Sequence, residues 1–161
     1  MYHPNTHSLT TLVQPTERLL RERSRPQQGL ALAVRLINVG LLVAIGAIHL
    51  HLWLEGYRFI PTNGPLFLVD AIAAFALAVA LLAWPRPIVS LSAAGFVAST
   101  LGALLISINV GLFGFKESLG ASFVVLSIVL EAIAFVGAIG WMLLVRAGLR
   151  PPSPASTASE L

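Results

Sequence analysis

The sequence contains no cysteine. That absence excludes thiol–disulfide exchange, cysteine-ligated iron–sulfur clusters and thiolate metal sites, each of which needs sulfur as ligand or nucleophile. Charge is scarce as well: Asp, Glu, Lys and Arg make up 11% of the 161 residues, and Lys116 is the one lysine. Histidine occurs only at His3, His7, His49 and His51. His3 and His7 lie in a polar N-terminal stretch, so a bis-histidine haem between two helices of one chain has no ligand set. The sequence shows no HExxH pattern, Gly-rich phosphate loop or nucleophile triad, which leaves hydrolytic and nucleotide chemistry without support. These gaps point to a non-enzymatic chain, with neither a resident metal nor a cofactor expected.

What is present is apolar surface. Hydrophobic residues make up 57% of the chain and its mean hydropathy is +0.85, well above the soluble average. Four apolar runs, at about 30–54, 65–84, 88–113 and 119–145, are each long enough to cross about 30 Å of hydrocarbon as a helix. The fold class that follows is all-α: a polytopic membrane protein with a four-helix transmembrane bundle over 29–147. GYRFIPTNGP, WPRP and GFKESLG separate the runs and carry the prolines, glycines and charges that end helices. Residues 1–28 read as a basic, largely disordered tail and 148–161, rich in Pro and Ser, as a second one.

The net charge of +3 and pI near 10.2 do not indicate nucleic acid, because the basic residues flank apolar runs rather than forming a soluble face with interleaved aromatics. They indicate topology, and the expected partners are the lipid bilayer and either another copy or another membrane protein. Arg18, Arg21, Arg23, Arg25, Arg35, Arg86, Arg146 and Arg150 fall on one side, Arg58 and Lys116 on the other. The positive-inside rule then places both termini of this multi-pass chain in the cytoplasm.

HLWLEGYR (51–58) aligns without gaps on NVGLFGFK (109–116), which raises the prospect of two duplicated hairpins. Membrane helices pack through small residues. Spacings of three and four select Gly40, Ala44 and Ala47 with His51 and Glu55 on helix one. By the same rule helix three offers Gly95, Ser99, Gly102 and Asn109, and helix four Ser127, Glu131 and Ala134. Asp70 begins the small face of helix two.

His49 and His51 are about 200° apart on a regular helix and cannot share a metal. His51 and Glu55, four apart, face one another. They are half a metal site, which Asp70, Asn109 or Glu117 would have to complete. The alternative is hydrogen bonding among His51, Glu55 and Asn109 at the interface, and this is the reading the residues favour. Glu131 is harder to dismiss. It falls near mid-membrane, where an ionised carboxylate costs on the order of 3 kcal/mol and must be paired, wetted or protonated. Two readings stand for it: a packing residue that donates a hydrogen bond, or a proton- or cation-binding carboxylate beneath a mouth of His51, Asp70 and Asn109.

The combination HLHLWLEGYRFIPTNGPLFLVDA with GLFGFKE resembles small four-helix integral membrane proteins of actinobacteria. The resemblance implies four helices and a plasma-membrane location, and assigns no activity to His51, Glu55 or Glu131. The expected function is therefore that of a membrane subunit or scaffold associating through small-residue faces. The alternatives are a small proton- or cation-coupled transporter using Glu131, and a metal- or redox-handling protein using His51 and Glu55.

Overall fold

In the computed structural model, the structure describes the backbone of residues 7–146 and the side chains of 29–146. Four long helices run α1 (His7–Glu55), α2 (Asn63–Ala83), α3 (Pro87–Asn109) and α4 (Val124–Arg146), with a short 3₁₀ turn at Tyr57–Phe59. Four segments have the length and hydropathy to span a membrane: Gly29–Glu55, Asn63–Ala83, Pro87–Asn109 and Val124–Arg146. At 1.5 Å per residue the shortest still covers about 32 Å. Most side chains in these segments face outward, and apolar ones such as Ile37, Val43, Val69, Ile72, Val79 and Val136 are exposed. Such a surface suits lipid, and water would penalise it. The chain is a multi-pass, all-α membrane protein.

The N-terminal stretch departs from the expected irregular tail, because the backbone is already helical from His7. Glu, Leu and Arg in TERLLRER are good helix formers, and the adjoining span supplies the nucleus that an isolated peptide would lack. The side chains of 1–28 and the expected tail at 148–161 lie outside the described residues.

The helices contact one another in cyclic order: α1 with α2 and α4, α3 with α4 and, less extensively, with α2. We call the end where α1 enters and α4 leaves the base, and the end carrying the α1–α2 and α3–α4 connections the cap. At the base, α2 stops at Ala83 and α3 restarts with Pro87 in its first turn, where a missing N–H costs nothing. Arg35, 6% exposed, donates from Nε to the carbonyl of Leu81 at 3.0 Å and from Nη2 to that of Leu82. It thereby satisfies carbonyls that the end of α2 leaves without helical partners. Rather than extending out of the bundle as a topology marker, this arginine caps a neighbouring helix.

At the cap, α3 ends at Asn109, four residues before the expected 113. The chain then reverses through Phe113 and Gly114, which have φ of +50° and +80°. Leu112 and Phe115 bridge on either side, as a two-residue hairpin with two positive-φ centres requires. The α4 helix starts at Val124 rather than near 119. Gly64 is the tight point of the other connection: a Cβ there would lie 2.7 Å from the carbonyl oxygen of Arg58.

Small side chains dominate the inward faces of three helices, with Ala71, Ala74 and Ala78 on α2, Ala93 and Ala94 on α3, and Ala134 and Ala138 on α4. Against them α1 sets Leu42 and Ile45, and α4 adds Trp141, all at most 2% exposed. Close packing needs this alternation, because four small faces meeting would leave a void. It corrects two expected faces. On α1, Gly40 and Ala47 are exposed and Ala44 half-buried, while Asn38, Leu42, Ile45 and His49 turn inward. On α3, Gly95 and Ser99 are exposed and Gly102 half-buried, and the inward face is Ala93, Ala94, Val97 and Thr100. On α4 the expected Ser127 and Ala134 are buried. The glycines that admit close contact are others: Gly46 packs on Phe75 and Ala74, and Gly137 on the side chain of Asn38.

Candidate functional site: an acidic cavity in the cap half

The rotation of α1 decides what enters the bundle. Leu42, Ile45 and Leu52 hold one stripe of α1 inward, and His49 lies on that stripe by the three- and four-residue spacing. Its ring is 9% exposed, and Nδ1 lies 2.9 Å from the carbonyl oxygen of Ile45. Because a carbonyl only accepts, Nδ1 carries the proton, and Nε2 is left as a second, free ring position. The ring leans against Phe67, with centroids 5.4 Å apart.

His51 goes the other way. It pairs with Glu55 at 3.6 Å across one turn, as its spacing predicts, but the pair lies outside, with side chains 46% and 60% exposed. Asn109 is exposed too and donates to the carbonyl of Leu105. The expected mouth of His51, Asp70 and Asn109 above Glu131 is therefore not assembled, and His49 takes the place expected of His51.

The interior of the cap half holds a cavity of about 100 Å³. His49 from α1, Asp70 from α2, Thr100 from α3 and Glu131 with Ser127 from α4 reach it, and Glu117 reaches it from the α3–α4 connection. Phe67, Leu104, Phe115 and Val124 supply apolar wall. Only four acidic residues occur between positions 29 and 147, namely Glu55, Asp70, Glu117 and Glu131, and three of them line this one cavity. No lysine or arginine does.

Glu131 is 1% exposed, and its Oε2 has no hydrogen-bond partner. The Thr100 hydroxyl lies beside its carboxyl, and Asp70 is within electrostatic reach of both Glu131 and His49. Glu131 is the eighth residue of α4, about 10 Å from its cap end, which is shallower than the sequence suggested because α4 begins later. A buried oxygen without a partner costs about 1–3 kcal/mol, more when charged. In a native fold such an atom calls for an explanation, and a functional role or a bound water or ion is among those available.

Glu117 closes the cavity on the cap side. Its Oε2 accepts the Tyr57 hydroxyl at 2.8 Å, and its Oε1 accepts the backbone N–H of Ser118 at 2.9 Å. Burial, then the hydrogen bond and charge of Glu117, push the Tyr57 phenol above its ordinary 10.0, so it remains a neutral donor. Tyr57 also packs on Phe67 in a tilted pair, centroids 4.7 Å apart, and meets Phe115 edge-on at 5.8 Å. An aromatic cluster thus roofs the acidic chamber, and Asn63 ties the two connections together by donating to the carbonyl of Leu112 at 3.4 Å.

Among the described residues, no three His, Asp or Glu side chains converge closely enough to hold a metal ion. The carboxylates are spread around the wall, a geometry for a proton, water or a monovalent cation rather than a divalent metal with short, convergent oxygen ligands. The sequence reading passes over His49 and Thr100, and offers Glu117 only as a further ligand for His51 and Glu55 rather than as a wall of this chamber. His49 was legible in principle, since it shares a face with the large apolar Leu42 and Ile45. Glu117 reaches the cavity only through the hairpin at 112–115, which periodicity does not reveal. No protein-family model, curated protein or solved structure matches the chain.

Proposed function

We propose that the protein binds a proton or a monovalent cation inside the membrane, and moves it, using Glu131 and Asp70. One observation carries this reading: Glu131 is buried in the bundle with an unpartnered oxygen on a cavity that also holds Asp70, Glu117 and the free edge of His49. Intramembrane carboxylates are costly and mark ion or proton paths. At about 30 Å³ per water, 100 Å³ accommodates about three waters, enough to relay a proton among Glu131, Asp70 and His49. Orientation follows from the arginines: the base, with eight of the ten Lys and Arg residues on its side, faces the cytoplasm of a plasma-membrane protein. The test is dissipation of an imposed pH gradient in proteoliposomes. Glu131→Gln is expected to reduce the flux to that of protein-free vesicles, and unchanged flux would overturn the reading.

The scaffold reading keeps a specific support. Gly40 and Ala47 on α1, and Gly95 and Ser99 on α3, face outward, where small residues permit close approach of another helix. Gly40→Leu is the corresponding test: a shift from oligomer to monomer in detergent supports association through α1, and an unchanged mass sinks it.

A further inference from the structure

A second, open depression of about 420 Å³ lies on the lipid side between α2 and α3, over Ala98, Ser99, Gly102 and Ile106. This seam is the least extensive of the four helix–helix contacts, and small residues floor it. The depression and the acidic cavity share Leu66, Asp70, Thr100, Ala103 and Leu112. Asp70 therefore borders both spaces, half-buried between the lipid face and the chamber of Glu131. On the aqueous side the same chamber is closed by Tyr57 on Glu117 and by Asn63 on Leu112. The open approach to the carboxylates is lateral.

We propose that this approach admits a ligand of one class: an organic monovalent cation with a compact ammonium head and an apolar tail, entering from the bilayer between α2 and α3. The proposal rests on the cation-binding reading above and specifies its ligand. Charge selects the head, since Asp70, Glu131 and Glu117 line the chamber and no base does. Phe67 and Phe115 also line the chamber, and aromatic rings attract quaternary ammonium. The inner chamber, at about 100 Å³, has room for a compact head and not for the tail as well. The depression takes the tail, which need not leave the hydrocarbon. Anionic and zwitterionic headgroups meet three carboxylates and are rejected.

The test is equilibrium dialysis of labelled decyltrimethylammonium against the protein in nanodiscs, with empty nanodiscs as blank. One saturable site per chain is expected, weakened more than about tenfold by Asp70→Asn, as for a buried charge pair that loses one member. Gly102→Leu is expected to weaken it comparably. A Cβ at Gly102 meets nothing within 4 Å, so the added side chain starts into the open space of the depression that Gly102 lines. Gly95→Leu, exposed on the same helix with equal room, is expected to bind normally, and it reports any general cost of leucine on α3. Decylphosphocholine is expected not to compete. Tetramethylammonium competing as well as the tailed probe, or Gly102→Leu binding like the parent, would overturn lateral entry. Absence of a saturable site in a preparation that retains Glu131-dependent proton flux would overturn the organic cation and leave the carboxylate reading standing. Absence of both would remove the two together.

Discussion

The base and the cap of this bundle are built on opposite principles. In the base, Leu42, Leu81, Ala94, Trp141 and Val145 are all at most 2% exposed, and the buried Arg35 spends its guanidinium on the carbonyls of α2. The groups left unpaired there, Ser90 Oγ and Trp141 Nε1, are neutral. In the cap the same four helices enclose a cavity, three carboxylic side chains and a histidine, and the unpaired atom belongs to Glu131. Lipid supplies no hydrophobic drive for helix association, so the bundle is held by contact and by hydrogen bonds. The half that gives up contact to keep acidic groups must lean on the half that does not. The base is the clamp, and the cap is the half free to carry chemistry.

If that division holds, substitutions in the base lower stability and those in the cap change binding. The largest effect is expected for Trp141→Ala. It removes a fully buried indole and leaves a void in the core of the base, at a cost of about 4 kcal/mol, measured as a lowered midpoint of unfolding in detergent. A loss under about 1 kcal/mol would mean that the base collapses around the gap and is no clamp. Arg35→Met comes next. It keeps the stem's packing but leaves the carbonyls of Leu81 and Leu82 unpaired in the bundle, costing about 2 kcal/mol. Arg35→Lys, with fewer and less spread donors, is expected to recover part of it.

Tyr57→Phe follows, at about 1 kcal/mol for one half-buried hydrogen bond, and its signature is in the pH dependence. The Tyr57 phenol is held above its ordinary value, first by burial and then by Glu117. The folded state therefore keeps this proton after the unfolded chain has begun to lose it. Its contribution is complete below about pH 10 and is lost as pH rises through the folded value. Unfolding midpoints of the parent are expected to be level with respect to this group up to that pH and to fall beyond it, with a shallower fall in Tyr57→Phe. Equal slopes would detach the phenol from the cap's stability.

How far the sequence revealed this contrast depends on the element. Length and hydropathy located all four spans, because a bilayer sets a minimum length and the backbone must satisfy itself within it. The α4 face was legible as well, since Ser127, Glu131, Ala134 and Ala138 follow helical spacing and all turn inward. On α1 and α3 the same rule chose outward faces. Small residues mark close approach of backbones but do not say to what, and a core already lined by the alanines of three helices needs bulk from the fourth. Hence Leu42 and Ile45 went in, Gly40 and Ala47 went out, and His49 rather than His51 reached the acidic chamber. Glu117 was beyond periodicity altogether, because the turn at Phe113 and Gly114 brings it back over the cap.

The smallest stability change, and the sharpest separation of the two halves, is expected for Glu131→Gln. The amide keeps the length and shape of the side chain, so the contacts of α4 with α3 are preserved, and it brings an N–H₂ donor that the cavity's Thr100, Ser127 and Asp70 oxygens can accept from. Unfolding in detergent is expected to shift by less than about 0.5 kcal/mol, or toward greater stability. Proton flux in proteoliposomes falls to background in the same variant. A loss of several kcal/mol would instead make Glu131 a structural member of the bundle. The cap would then be a second clamp that happens to contain an acid, and the two halves would differ in composition only.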